Sequence, residues 1–219
     1  MKIDFYFDFL SPFSFFAWLN HKEKLKEFDL SFNYRPILMG RLFSHHNFPG
    51  PGEIEAKRDY ELKKCFRYAA KQNIQFSPPS SFPFNPLGII RLATIEASSS
   101  DQIKVIDTVF RAIWQKGMVL EDPELVAKLF SQNDLSEEII EKSFARESKK
   151  ELKANIKSAI DAGLFGVPSF VINNEFFWGN DSFDDILAVL RGNDSWNKDL
   201  YNKVLANNKM SIENEHQTN

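Results

Sequence analysis

The sequence predicts an α/β protein in which a small layered domain is interrupted by an all-helical insertion. Three observations predict it. The chain opens on a strand–helix–strand pattern, continues through roughly 120 residues of helical periodicity, and closes on two short strands and a helix.

Ile3, Phe5 and Phe7 alternate with Asp4, Tyr6 and Asp8, the period of a strand. Ser11 then suits a helix N-cap. Pro12 suits the first helical position, where the amide it lacks would have no partner. Phe13, Phe16, Ala17, Leu25 and Phe28 trace one helix face, and Leu30, Phe32 and Tyr34 alternate with Ser31, Asn33 and Arg35 as a second strand.

Gly40 to Gly52 reads as a loop, followed by a charged amphipathic helix from Glu53 to Asn73. Ser77 to Pro86, with four prolines, is a second loop. Helical segments follow near 87–98, 102–116, 123–131, 137–144 and 149–162. After Gly163, Ser169–Ile172 and Glu175–Trp178 read as strands, joined by Asn173 and Asn174, because asparagine tolerates the positive φ of a tight turn. A last helix passes through Ile186, Leu187 and Leu190. The polar tail from 207 to 219 is expected to be disordered. Residues 1–38 and 163–206 then form one discontinuous thioredoxin-like domain. Residues 39–162 form a helical insertion domain that leaves from and returns to one sheet.

The net charge of −3 provides no bulk attraction to nucleic acid or anionic lipid. A single cysteine, Cys65, excludes an internal disulfide, a Cys-x-x-Cys pair and a cysteine-based metal cage. No apolar run reaches transmembrane length and no secretory signal pattern is visible, so a cytoplasmic protein without membrane, nucleic-acid or metal partners is expected. His45 and His46 are adjacent in a loop, a poor arrangement for sharing one metal, and are expected to face solvent. Cys65 is expected to be buried in its helix. Phenylalanine is the outlier, with 22 copies, and several stand in loops: Phe43, Phe48, Phe76, Phe82 and Phe84. They serve either the core or an apolar pocket.

Ser11 is the most informative position. It stands at the strand-to-helix turn, where unpaired amides and the positive end of the helix dipole stabilise an anion. A serine cannot exchange disulfides, but its hydroxyl can donate to another molecule's thiolate. A thiol of pKa roughly 8.5, lowered by one or two units, becomes substantially ionised at neutral pH. The same dipeptide is also what a plain helix cap requires. Pro168, in Gly166-Val167-Pro168 before a strand, suits a cis peptide. Such a bond leaves the main chain of Val167 able to pair with an extended peptide; an ordinary pre-strand turn is the alternative. Asp181 and Ser182 precede the last helix, where they can cap it or grip a zwitterion.

In combination these motifs resemble the 2-hydroxychromene-2-carboxylate isomerases and kappa-class glutathione transferases, which share a DsbA-like thioredoxin fold. The resemblance runs from Ile3 to Leu190. It is carried by DFLSPFSFFA at 8–17, NFPGPGEIEAKRDY at 47–60, FPFNPLGIIRLA at 82–93, GVPSF at 166–170 and FFWGND at 176–181. It implies glutathione as cofactor. Ser11 would bond its sulfur, Asn47 its peptide and Lys57 its glycyl carboxylate. Val167 beside cis Pro168 would pair with its backbone, and Asp181 with Ser182 would hold its γ-glutamyl group. The family commonly has arginine where Ser182 stands.

The activity so implied is cis/trans isomerisation of a small aromatic substrate by reversible thiolate addition, with Ser11 as the catalytic residue and Phe13, Phe82 and Phe84 in the substrate pocket. Conjugation of glutathione to electrophiles is the first alternative, and a non-catalytic glutathione- or peptide-binding protein is the second. A homodimer is expected from the same resemblance.

Overall fold

The computed structural model describes residues 1–217. Its elements run β1 (Lys2–Phe7), α1 (Pro12–Lys24), β2 (Ser31–Pro36), α2 (Met39–His45), α3 (Glu55–Lys71), α4 (Leu87–Leu92), α5 (Ile95–Ser98), α6 (Gln102–Trp114), α7 (Pro123–Ser131), α8 (Glu138–Ser143), α9 (Arg146–Asp161), β3 (Ser169–Ile172), β4 (Glu175–Trp178), α10 (Phe183–Leu190) and α11 (Lys198–Gln217). The strands form one sheet in the order β2-β1-β3-β4. β1 pairs with β2 in parallel, and with β3 antiparallel; β3 and β4 form an antiparallel hairpin. Asn173 and Asn174 turn that hairpin with φ of 50° and 67°.

β1 is covered on both faces, which is why its alternation fades towards Phe7. Phe5, Phe7 and Phe9 enter an aromatic layer with Phe15, Phe110 and Phe170, in which Phe5 stacks on Phe170 at 4.6 Å. Tyr6 points the other way and is also buried, among Ile37, Leu42, Ala159, Leu164 and Val167. His21 lies in the first layer. Its Nδ1 bonds Trp18 O and its Nε2 bonds the Tyr34 hydroxyl, and burial lowers its pKa to about 4.

The inserted helices are fastened to the sheet by hydrogen bonds as well as by packing. Tyr6 Oη pairs with Ser158 Oγ at 2.9 Å, Gln102 donates to the Tyr34 carbonyl, and Trp114 Nε1 donates to the Phe9 carbonyl at 2.8 Å. Residues Met1–Phe183 form one compact unit, insertion included, and the chain from Asp184 forms a second.

Two segments differ from the sequence reading. The expected loop from Gly40 contains α2, whose Leu42 is fully buried. Gly40 read as a breaker, but the burial of Leu42 outweighs the intrinsic cost of about 1 kcal/mol for a helical glycine. The expected disordered tail from 207 continues α11 as far as Gln217, in a stretch without glycine or proline. Residues 218 and 219 of that tail lie outside the described residues. No helix among the described residues is long and apolar enough to cross a membrane.

Candidate functional site

Ser11 caps α1. Its Oγ accepts the Ser14 amide at 3.1 Å, its carbonyl accepts the Phe15 amide, and Pro12 has no amide to satisfy. Of the first-turn donors only the Phe13 N–H is without a hydrogen-bond partner among the described residues, and the positive end of the helix dipole is centred there. The Ser11 hydroxyl donates to the Val167 carbonyl across 3.4 Å. That is long for an O–H···O bond, whose usual range is roughly 2.5–3.0 Å, so a better acceptor displaces it readily.

The Val167–Pro168 peptide is cis, as is Phe82–Pro83. β3 starts one residue later, and the Gly179 amide donates to the Pro168 carbonyl at 2.9 Å. Gly179 has φ of 105°, a conformation that other residues rarely adopt, and a Cβ there would collide with the Asp181 carboxylate. Gly166 is required for a different reason. The indole of Trp178 lies over it, and a Cβ would come within 2.7 Å of Nε1.

These turns enclose a cavity of about 90 Å³, lined by Phe13, Glu61, Lys64, Val167, Pro168, Trp178, Gly179, Asn180 and Asp181. It gathers Phe13, Val167, Pro168 and Asp181 from the residues expected in the site, with Ser11 behind the Val167 carbonyl. Glu61, Lys64, Trp178 and Asn180 are additions. The charged pair was legible in part: Lys57, Glu61 and Lys64 follow the i, i+4, i+7 spacing of one helix face, and the face meets the cavity at its C-terminal end. Lys64 Nζ stands 5.1 Å from the centre of the Phe13 ring. Glu61 Oε2 is buried without a hydrogen-bond partner.

The remaining expected residues stand outside this cavity. Lys57 is exposed on α3. Asn47 is exposed in the turn after α2, with φ of 53°. Ser182 is buried, and its hydroxyl is engaged by the Gly179 carbonyl at 2.8 Å. Phe84 is buried, while Phe82 is exposed and meets the edge of Trp114 at 5.5 Å. His46, expected to face solvent, is exposed, and its Nε2 also bonds the Leu164 carbonyl. Cys65 is fully buried, and burial pushes its thiol up to about 12, so it is inert. No group of three or more potential metal ligands occurs among the described residues.

A larger cavity, of about 390 Å³, opens beside the same turn. Leu38, Met39, Phe43 and Pro86 give it apolar walls; Leu10, directly before Ser11, and Asp8 give it a floor. Asp8 is buried and clamps the turn: Oδ1 accepts the Leu10 amide at 2.9 Å, Oδ2 accepts the Met39 amide at 2.8 Å, and its carbonyl accepts the Ser11 amide. Burial raises its carboxyl to about 6 against those two bonds. Ser11 thus connects the two: its hydroxyl reaches Val167 O, in the wall of the smaller cavity with its charged side chains, and Leu10 before it lines the larger, more apolar one.

A sheet of this order, a capped helix after its first strand and a cis-proline turn facing that cap define the class: the chain belongs to the DSBA-like thioredoxin domain family, which residues 2–191 match. Within that class it belongs with the 2-hydroxychromene-2-carboxylate isomerases. It is 30% identical to the enzyme of that name from Pseudomonas putida over 188 residues, 83% of this chain and 90% of the relative. A kappa 1 glutathione S-transferase from Caenorhabditis elegans is 23% identical over 87% of this chain and 91% of its own length. A solved 2-hydroxychromene-2-carboxylate isomerase shares the fold with a TM-score of 0.77 and 23% identity, over 87% of this chain and 94% of that one.

Proposed function

We propose that the chain is a glutathione-dependent isomerase that interconverts cis and trans forms of a small conjugated aromatic substrate. The observation that carries this reading is the Ser11 hydroxyl, held by a weak bond to Val167 O at the border of two cavities of different chemistry.

The smaller cavity fits one end of glutathione. Its unpaired Phe13 amide and orphaned Glu61 oxygen supply a donor and an acceptor that a peptide would satisfy. Lys64 matches a carboxylate, and Asp181 with Glu61 an ammonium. At about 90 Å³ it is below the roughly 300–1,000 Å³ that encloses a drug-sized ligand, so the rest of the tripeptide would lie outside it. Bound there, glutathione supplies a thiolate able to add reversibly to a conjugated alkene. Ser11 would give up Val167 O and donate to the sulfur, leaving Val167 O to accept a peptide N–H. The free end of α1 would favour the ionised sulfur. The larger cavity would seat the electrophile against Leu10, Met39 and Phe43.

Use of reduced glutathione suits the reducing cytoplasm. The active form would be a homodimer, as in the family resemblance, which sedimentation at working concentration tests.

Calorimetric titration with glutathione tests the reading, and Ser11→Ala tests the role of the hydroxyl. The variant should still bind glutathione, while the thiolate absorbance of the bound form titrates about one unit higher, a roughly three- to eightfold loss of thiolate at pH 7. A stable conjugate with no isomerisation of a conjugated enone would make the protein a transferase. No heat at millimolar glutathione would sink both enzyme readings and leave a non-catalytic peptide-binding protein.

A further inference from the structure

The larger cavity is apolar apart from Asp8, Ser44, whose hydroxyl donates to the Gly40 carbonyl, and one cation. Leu10, Leu38, Met39, Phe43 and Pro86 line it, and at about 390 Å³ it has the volume of a small-molecule site. Arg41, on the first turn of α2, stands at its exposed edge. Among the described residues no hydrogen bond, ion pair or ring contact engages its guanidinium. Arg41 is the one cation among the residues that line this cavity. Two other arginines are paired: Arg111 with Asp107 at 2.7 Å, and Arg35 with Asp4 at 3.0 Å. Asp8 is the acidic group among the residues that line the cavity, but both of its oxygens already accept backbone amides.

We infer that Arg41 is a specificity-determining residue: it binds the carboxylate of an aromatic acid whose apolar body fills this cavity. The inference rests on the isomerase reading only for the identity of the cavity's occupant as the electrophile. The physical argument is independent of it. An apolar wall selects ring and alkene carbon but cannot orient them. A planar guanidinium with five donors matches a carboxylate in two parallel bonds and fixes one end of the ligand. With the carboxylate at Arg41, the body of the ligand lies along Met39 and Leu10. Its conjugated carbon then faces the turn that carries Ser11. Asp8 does not compete, because its charge is held by the two amides beneath the cavity floor. An uncharged ligand would fill the same space without the anchor.

The test uses a saturated, unreactive probe, 2-oxo-4-phenylbutanoate, and its methyl ester, titrated into the full chain without glutathione. The acid should bind the wild type about tenfold more tightly than the ester, the discrimination of one charge-assisted pair at a partly exposed site. Arg41→Met should abolish the difference by weakening the acid alone, and Arg41→Lys should restore part of it. Glutathione binding should be unchanged in both variants. Equal binding of acid and ester by the wild type, binding of neither, or an Arg41→Met that weakens glutathione instead of the acid, would each overturn the inference. The isomerase reading fails separately, on glutathione binding and turnover by the wild type.

Discussion

The two cavities beside Ser11 are built in opposite ways. The small one is made of turns whose backbone geometry is unusual: a cis peptide at Val167–Pro168, a positive φ at Gly179 and a close approach of Trp178 over Gly166. Its polar groups include a donor and an acceptor left unsatisfied. The large one is made of ordinary helix and loop side chains, and its buried carboxylate is fully bonded. A site that must grip a peptide main chain needs exposed main-chain groups, which turns and helix ends leave free. A site that accommodates an apolar body needs surface and one anchor. The first is therefore specified by backbone, the second by side chains.

The largest effect expected from breaking this contrast comes from Gly179→Val. A β-branched residue at φ of 105° is strained by about 1–3 kcal/mol, and its Cβ displaces the Asp181 carboxylate. Glutathione affinity should fall at least tenfold by calorimetry. Binding of 2-oxo-4-phenylbutanoate in the large cavity should change less than twofold. Equal losses at both ligands would show that the cavities are one site.

The same contrast explains what was legible in the sequence. The strands at 169–172 and 175–178, the asparagine turn between them and the Ser11 cap depend on local chemistry, and they stand where the local chemistry puts them. The grouping of Val167, Pro168 and Asp181 was legible for that reason, since each belongs to a turn with its own signature. Lys64 and Glu61 were legible only as members of one charged face, because nothing in α3 says which of three charges on that face meets the rest of the chain. The large cavity was the least legible. It was expected from Phe13, Phe82 and Phe84, but Phe13 lines the smaller cavity, Phe84 is consumed by the core, Phe82 lines neither cavity and only Pro86 of that loop reaches the larger one. Its other walls come from α2, which the glycine at 40 concealed.

A second prediction follows from the carboxylate beneath the large cavity. Asp8 has a folded pKa of about 6, above the ordinary 3.8, so its contribution to stability is present below pH 3.8 and lost as pH rises through 6. His21 is opposite in sign. Its folded pKa of about 4 lies below the ordinary 6.5, so stability is present above pH 6.5 and lost as pH falls to 4. Between pH 4 and 6 the two slopes oppose, and wild-type stability should be nearly flat. Asp8→Asn should lower stability overall, since one amide loses its acceptor, and should unmask the histidine. Its unfolding free energy should then climb with pH by up to about 1.4 kcal/mol per unit between 4.5 and 6. Denaturant titrations at three pH values measure that slope, and a flat variant would remove His21 as the opposing group.

The smallest effect separates two serines of one turn. Ser11 Oγ caps α1 through the Ser14 amide, whereas Ser14 Oγ is fully buried with no hydrogen-bond partner. Replacing a capping serine by alanine costs about 1 kcal/mol. A buried hydroxyl that bonds nothing carries a desolvation penalty of about 1–3 kcal/mol, and its removal restores part of that, less the contacts the oxygen made. Ser11→Ala should therefore lower the unfolding free energy, and Ser14→Ala should leave it unchanged or raise it by up to about 1 kcal/mol. Both keep the backbone and the volume nearly the same, so denaturant midpoints at constant slope compare them directly. If Ser14→Ala also loses stability, its hydroxyl has a partner in solution. The most economical one is the Ser11 side of the turn, which would then share its proton between two serines rather than hold it at Val167.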